Sequence, residues 1–176
     1  MCKIVELERL REIRGDLKQV GKKIVFTNGC FDLLHGGHVH LFKFAKSQGD
    51  VLIVAVNDDT SIQRFKGEDR PIFPLAERLE ILAALESIDY LTPFSEDTPL
   101  RLIETLLPDV LIKGGDWRPE EVVGKPEVEA AGGRVIIAPF LKGHSSSQII
   151  RNIRTSLAAQ TDRASDKAKK NPLFVE

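Results

Sequence analysis

The stretch Lys23–His40, KIVFTNGCFDLLHGGHVH, decides the fold of this chain. It begins with an apolar run of strand length and passes through a loop that contains Gly29. It then reaches His35-Gly36-Gly37-His38, where we expect a helix to begin. A strand that leads into a helix in this way is the first half of a βαβ unit, whose next strand runs parallel to the first. The stretch therefore predicts a parallel sheet.

Apolar runs of strand length alternate with segments of helical period along most of the chain. The runs are rich in Val, Ile and Leu and show little polar alternation, which is typical of strands covered by helices on both faces. We therefore expect an α/β fold: a single Rossmann-like, doubly wound, five-stranded parallel sheet with helices on both faces. The predicted strands are Lys23–Thr27, Val51–Val56, Tyr90–Thr92, Val110–Lys113 and Val135–Ala138.

Apolar residues at helical spacing, together with capping residues, predict the helices and the domain limits. No apolar period is sustained beyond Ser156. We expect one folded domain over residues 1–156 and a polar tail over residues 157–176 that is disordered or loosely attached. The predicted helices are one within residues 1–20, one from about Gly37 to Ser47, one over Pro74–Glu86, one from Pro99 to about Leu107, and a last one after Ser145-Ser146-Ser147.

Composition restricts the class of protein. The 176 residues, 42% of them hydrophobic and 29% charged, suit one compact domain. Lys and Arg number 25 against 26 Asp and Glu, which gives a formal charge of −1 and favours no nucleic-acid partner. The apolar runs are shorter than the ~20 residues that cross a bilayer, so we expect a cytoplasmic protein without membrane contact. Two cysteines, Cys2 and Cys30, form neither a disulfide framework nor a zinc ribbon.

The first candidate site lies at His35 and His38. In an open parallel sheet, ligands bind beyond the carboxyl ends of the strands, where a helix N-terminus presents N–H groups to an anion. Two imidazoles three residues apart can point the same way and donate to phosphate oxygens, and Gly36 and Gly37 keep side chains out of the ligand's path. The pattern favours a phosphate site. Neither GxGxxG nor GxxxxGK is present, which weakens a dinucleotide dehydrogenase and a P-loop NTPase.

Two other interpretations of the histidines stay open. They could be incidental loop residues, or they could join Cys30 and His40 as zinc ligands. The irregular spacing and the lack of a second ligand pair argue against zinc, and we expect no protein-held metal.

Longer motifs give a family resemblance over roughly residues 20–154. Gly29–His38 resembles the GxFDxxHxGH signature of the cytidylyltransferase-like nucleotidyltransferases. Further segments are similar to the D-glycero-D-manno-heptose 1-phosphate adenylyltransferases within that superfamily. The last segment departs from the usual Gly-x-Ser-Thr-Thr or Gly-x-Ser-Thr-Ser, because serine replaces threonine and keeps the hydroxyl. The segments are IVAVNDD (53–59), RFKG (64–67) with Arg70-Pro71, EDTP (96–99), PDVLIKGGD (108–116) and GHSSS (143–147).

The resemblance implies transfer of AMP from ATP to heptose 1-phosphate, which gives ADP-heptose and pyrophosphate for the lipopolysaccharide core precursor. It implies ATP as co-substrate and a separate sugar kinase in the same pathway. Mg²⁺ would neutralise part of the phosphate charge, and a homo-oligomer is possible because homodimers are the commonest oligomers. A cytidylyltransferase acting on glycerol 3-phosphate or a related polyol phosphate is the alternative enzyme. A nucleotide-binding regulator is the alternative without catalysis.

Charge indicates how such a site works. A sugar 1-phosphate is ionised at neutral pH, so its oxygen can attack the α-phosphorus of a nucleoside triphosphate without a general base. The barrier lies in bringing two polyanions together and in stabilising the departing pyrophosphate. Catalysis therefore depends on positioning and on cationic groups.

The resemblance also implies residue roles. His35 and His38 would hold the triphosphate and stabilise the transition state, and Lys66, in a loop after the second strand, would be a mobile cation. Alternatively Lys66 is a solvated surface lysine, Trp117 packs in the core, and Arg78 lies on a helix surface. The remaining nucleotide-binding candidates are Gly29, Cys30, Phe31, Asp116, Trp117, Ser145 and Ser146, and the candidates for sugar-phosphate contacts are Asn57, Asp59, Arg70 and Lys113.

Overall fold

The computed structural model describes residues 3–115, 117–139, 141, 143 and 145–169. Its five strands form one sheet in the order β3-β2-β1-β4-β5, and every neighbouring pair is parallel. The predicted fold class is confirmed, with small differences at the strand ends. The strands are β1 Ile24–Gly29, β2 Val51–Asn57, β3 Tyr90–Phe94, β4 Val110–Lys113 and β5 Arg134–Ile137.

The helices include two that the sequence analysis did not predict, α3 and α6. Helix α3 is short and polar, and only Ser61 and Ile62 are buried, so it has no apolar stripe to recognise. The expectation that Lys66 lies in a loop is wrong, because Lys66 is the last residue of α3. The helices are α1 Leu7–Gln19, α2 Gly36–Lys46, α3 Asp59–Lys66, α4 Leu75–Ala83, α5 Leu100–Leu106, α6 Lys125–Ala130 and α7 Ser146–Lys169, with a 3-10 turn at Pro119–Glu121.

Successive strand residues point to opposite faces of the sheet, and both faces are packed. On one face, Val25 and Val54 lie in a cluster with Phe42 of α2 and Leu82 of α4. The opposite face has its own cluster, built by β1, β2 and β4 with α1, α5 and α6. It contains Leu10, Ile24, Phe26, Ile53, Ala55, Phe94, Leu102, Ile103, Leu106, Leu111, Val122 and Val128. The sheet is therefore covered by helices on both faces, as predicted.

The chain divides into two compact units, Met1–Leu141 and Lys142–Glu176. The first contains the sheet, and the second contains α7, which continues past the predicted domain boundary at residue 156. Residues 170–176 of the predicted tail lie outside the described residues, and the attachment of the tail stays a prediction. Among the helices that the structure describes, none has the length and apolar character to cross a membrane.

The strand order places a crevice between the ends of β1 and β4. After β1 the chain forms β2 and β3 on one side of β1, and it then forms β4 on the other side of β1. Ligands of open α/β sheets bind at such a switch point, outside the carboxyl ends of the strands. Gly29 ends β1 and Lys113 ends β4, so the predicted site residues flank this crevice.

Substitution of one core leucine on each face tests the two-sided packing. Leu82 and Leu106 are both fully buried, so Leu82→Ala and Leu106→Ala should each lower the free energy of unfolding by about 2–5 kcal/mol. Ile81→Ala is the matched control, because Ile81 neighbours Leu82 and is 39% exposed. Urea denaturation of the three variants measures the difference. A Leu106→Ala protein as stable as Ile81→Ala would contradict packing on the α5 face.

Candidate active site

A tight turn carries the chain from β1 toward α2. Phe31 has a φ of 48°, a conformation that bulky residues rarely adopt, and its ring is 5% exposed. A Cβ atom added at Gly29 would lie 3.0 Å from the Phe31 ring, a tight contact that would push the ring out of this place, and glycine avoids it. The ring also packs edge-on against His38 and tilted against Phe42, at centroid distances of 5.4 and 5.0 Å. The turn therefore fixes the start of α2 beside the end of β1.

The two predicted histidines stand together at the start of α2. His35 is the N-cap residue, with extended backbone, and His38 lies in the first turn. Their rings are stacked, with centroids 3.8 Å apart and an interplanar angle of 21°. The first turn of a helix also leaves backbone N–H groups without intrahelical acceptors. Two imidazole rings and the N–H groups of a helix start thus lie together at one helix end, which suits an anion.

The environment keeps His38 neutral. Burial, the neighbouring His35 and the ammonium of Lys66 together lower the pKa of His38 from 6.5 to about 4. A neutral imidazole still donates one N–H to a phosphate oxygen. A polyphosphate nearby opposes these effects, because a negative charge favours the protonated ring. His38 is therefore uncharged before a ligand binds and can gain charge from its ligand.

Lys66 reaches the same place from α3. Its exposed side chain hydrogen-bonds to the Cys30 thiol and lowers the pKa of His38. Burial raises the pKa of Cys30, and Lys66 and Arg78 oppose that rise. The structure thus brings Lys66, Cys30 and the histidine pair together, although they come from separate segments of the sequence.

Asp32 holds the segment between α3 and α4 against the β1 turn. Its buried carboxylate accepts hydrogen bonds from the backbone N–H groups of Ile72 and Phe73, at 2.8 and 3.0 Å. The other oxygen accepts from Arg70 Nε at 2.6 Å. Arg70, a predicted contact to the sugar phosphate, is thus paired within the protein, and its ligand contact stays a prediction. The sequence analysis gave Asp32 no role beyond its place in the signature.

Arg78 lies inside the protein beside the candidate site. The alternative that it lies on a helix surface is wrong, because its side chain is fully buried. Its guanidinium donates to Cys30 O at 2.5 Å, to Phe73 O at 3.0 Å and to Asp59 Oδ1 at 2.8 Å. Asp59, predicted to contact the sugar phosphate, also accepts from Leu75 N at 3.2 Å. Its contact to a ligand stays a prediction.

Lys113 occupies the β4 side of the crevice. It is 5% exposed, and its ammonium donates to Asn28 Oδ1 and lies 5.1 Å from the centroid of the Trp117 ring. Trp117 is 43% exposed, so it does not pack in the core. Asn28 was missed by the sequence analysis, although a polar residue at the end of an apolar strand is a usable signal. Because Thr27 pairs with Ile112 in the parallel sheet, the next residues along the two strands, Asn28 and Lys113, lie side by side.

The other predicted residues are placed as follows. Asn57 is buried at the end of β2 and donates to Ser61 Oγ at 3.2 Å. Ser145 and Ser146 belong to the second unit, where Ser145 Oγ accepts from the backbone N–H of Gln148 at 3.1 Å. Asp116 lies outside the described residues. The expected ligand contacts of these four residues stay predictions.

The described residues contain no group of three or more His, Cys, Asp or Glu side chains arranged to hold a metal ion. Cys30, His35, His38 and His40 are all described and do not form such a group. The zinc alternative therefore lacks a ligand set.

Comparison with known proteins assigns the family. The family model described as cytidylyltransferase-like matches residues 26–152, which span the sheet and the start of α7. The chain belongs to the cytidylyltransferase-like family. Membership confirms the resemblance inferred from the Gly29–His38 signature. It also makes the chain a nucleotidyltransferase enzyme.

The curated relatives share a name. The "Bifunctional protein HldE" of Geobacter metallireducens is 58% identical over 152 residues, which cover 86% of this chain and 31% of the relative. The protein of the same name from Yersinia enterocolitica is 48% identical over 154 residues, which cover 88% of this chain and 32% of the relative. This chain spans about a third of the length of these relatives.

Two solved structures resemble the chain. The lipopolysaccharide core biosynthesis protein of Thermoplasma volcanium has a TM-score of 0.60 and 28% identity, over 69% of this chain and 100% of the other. The pantoate-beta-alanine ligase of Francisella tularensis, solved with β,γ-ATP and β-alanine, has a TM-score of 0.59 and 23% identity, over 81% of this chain and 68% of the other. The second likeness supports the fold alone.

The depressed pKa of His38 predicts how stability depends on pH. The unfolded chain takes up this proton below about pH 6.5 and the folded chain only near pH 4, so protonation favours unfolding between these values. His38 should therefore cost stability progressively as the pH falls from 6.5 to 4. The difference in unfolding free energy between the wild type and His38→Gln should change over this window and stay constant above it. Denaturation at several pH values measures this difference, and NMR titration of the His38 ring gives its pKa directly. A midpoint near 6.5 would contradict the buried, neutral ring.

Proposed function

We propose that the chain transfers AMP from ATP to D-glycero-D-manno-heptose 1-phosphate, giving ADP-heptose and pyrophosphate for the lipopolysaccharide core. The stacked pair of His35 and His38, at the start of α2 and beside the end of β1, is the observation that carries this proposal. The names of its relatives, HldE and a lipopolysaccharide core biosynthesis protein, support the heptose substrate.

The reaction is a single displacement. An oxygen of the sugar phosphate forms a bond to the α-phosphorus of ATP, and the bond from that phosphorus to the oxygen that bridges the α- and β-phosphates breaks. Pyrophosphate leaves with the electron pair. Because the attacking oxygen is already ionised, the protein needs to supply neither a general base nor a nucleophile. Its task is to hold two anions together and to stabilise the charge on the leaving group.

His35, His38 and Lys66 carry that task. The ring N–H groups and the start of α2 bind the triphosphate, whose charge raises the pKa of His38 and strengthens the hydrogen bond as pyrophosphate departs. Lys66 ends α3, and Gly67 follows it with a φ of 92°, a conformation that glycine adopts without strain. The side chain can therefore exchange the Cys30 thiol for a phosphate oxygen when the nucleotide binds.

The other site residues hold the substrates. The backbone of Gly29, Cys30 and Phe31 lies beside the nucleotide, and Lys113 and Trp117 line the β4 side of the crevice, with Asp116 contributing to the nucleotide site. Mg²⁺ bound to the ATP phosphates would neutralise part of their charge. A sugar kinase activity supplies the heptose phosphate in the cytoplasm. The remaining assignments are Ser145 and Ser146 to the outer phosphates, and Asn57, Asp59 and Arg70 to the sugar phosphate.

A substrate panel tests the proposed reaction. The purified chain is mixed with ATP, CTP or GTP and Mg²⁺, and with heptose 1-phosphate, other sugar 1-phosphates or glycerol 3-phosphate, and pyrophosphate release is measured. We expect release only with ATP and heptose 1-phosphate. His35→Ala and His38→Ala should each lower kcat by about a hundredfold or more, because each removes a donor that follows the developing charge.

Other outcomes of the panel each identify an alternative. Release with CTP and glycerol 3-phosphate would replace the proposal by a cytidylyltransferase. Nucleotide binding by calorimetry without any release would favour a regulator. A normal kcat in both histidine variants would contradict the role of the pair.

Lys66→Ala tests the mobile cation. We expect kcat/KM to fall while the melting temperature stays close to that of the wild type, because an exposed lysine at a helix end contributes little to stability. Lys43→Ala, an exposed lysine on α2, is the matched control and should leave both quantities unchanged. Steady-state kinetics and thermal melts of the two variants give the comparison. Equal kcat/KM values for the two variants would show that Lys66 is a solvated surface lysine without a part in catalysis.

A further inference from the structure

Arg78 connects separate parts of the candidate site, and the reaction scheme above gives it no task. We propose that Arg78 is a positioning residue: it holds the Cys30 turn and helix α3 at a fixed separation, and so aligns the histidine pair with Lys66. This inference deepens the proposed nucleotidyl transfer and rests on it.

The contacts of Arg78 join three segments. Nη1 donates to the carbonyl of Cys30 in the β1 turn, Nη2 to the carboxylate of Asp59 at the start of α3, and Nε to the carbonyl of Phe73 before α4. The distances are 2.5, 2.8 and 3.0 Å, and the side chain is fully buried. One rigid guanidinium thus sets the mutual distances of three chain segments.

Two of those segments carry site residues. Asp59 is the first residue of α3 and Lys66 is the last, so holding Asp59 sets the position from which Lys66 extends. Cys30 directly precedes Phe31, whose ring rests against His38. A shift of the Cys30 carbonyl would therefore displace the histidine pair relative to Lys66. A displacement of about 1 Å in an active site can cost on the order of a hundredfold in rate.

Packing alone does not account for an arginine at this position. Arg78 shares the buried side of α4 with Leu79 and Leu82, where another apolar residue would fill space without the cost of burying a charge. The planar fork of arginine presents several donors in fixed directions, whereas lysine has a compact ammonium on a flexible stem. Arginine is therefore the residue type that can bind a carboxylate and two carbonyls in different directions at once.

The test uses Arg78→Lys, which keeps the positive charge and removes the fork. We expect a folded protein whose kcat/KM falls about tenfold to a hundredfold. The second readout is the pH dependence of Cys30 alkylation, measured with iodoacetamide after Cys2→Ser has removed the other thiol. Burial and Lys66 both set the pKa of Cys30, and both depend on the position of the turn and of α3. The midpoint of the alkylation profile should therefore shift.

Arg14→Lys is the matched control. Arg14 Nε donates to the carbonyl of Leu106 at 2.8 Å and so ties α1 to α5, on the opposite face of the sheet from α4. This variant removes an arginine hydrogen bond to a backbone carbonyl, the type of bond that Arg78→Lys also removes, but away from the site. We expect a lower melting temperature with the kcat/KM and the Cys30 profile of the wild type.

A purely structural Arg78 would give a different result. In that case Arg78→Lys lowers only the melting temperature, as the control does, and the inference is overturned. If Arg78→Lys does not fold, Asp59→Asn replaces it, because the amide keeps an oxygen for Leu75 N and weakens the pair with Arg78. Asp59→Asn should then shift the Cys30 profile, and an unshifted profile overturns the inference. Absence of any pyrophosphate release from the wild type would reject the proposed function, while the thiol profile would still test the positioning role.

Discussion

The contact between the Phe31 ring and Gly29 is the constraint on which the site depends. The ring lies where any Cβ at residue 29 would meet it at 3.0 Å, and the backbone of Phe31 takes a positive φ to put it there. This turn ends β1 at the switch point of the sheet and starts α2 beside it. The His35 and His38 rings, the helix N-terminus and the Cys30 carbonyl all take their positions from that turn.

Charge around the turn is balanced before a ligand binds. The two carboxylates nearest to it, Asp32 and Asp59, are each paired with an arginine, so neither presents an unpaired negative charge to an incoming phosphate. The His38 ring is kept neutral by burial and by its cationic neighbour Lys66. A site of this kind accepts a polyanion without repelling it and becomes more positive as the anion arrives. Such a response suits a reaction whose barrier is the approach and separation of anions.

Much of the fold was readable from the sequence because five apolar runs lack polar alternation, a pattern that strands buried on both faces share. Helix α3 was not readable, because six of its eight residues are polar and Ile62 is its one buried apolar residue, which leaves no apolar stripe. Arg78 could have been recognised, since it lies three residues after Leu75 and four before Leu82, on the apolar face. Contacts such as that of Asp32 with Ile72 and Phe73 join residues about 40 apart in sequence, and local spacing does not reveal them.

A crystal structure of the chain with Mg²⁺ and a non-hydrolysable ATP analogue tests the central claim most directly, because it locates the triphosphate independently of any sugar substrate. The account predicts phosphate oxygens within hydrogen-bond distance of the His35 and His38 rings and of the first-turn N–H groups of α2. It also predicts that Lys66 has left the Cys30 thiol for a phosphate. A triphosphate bound elsewhere, with the histidine rings still stacked and without contact to it, would contradict the account.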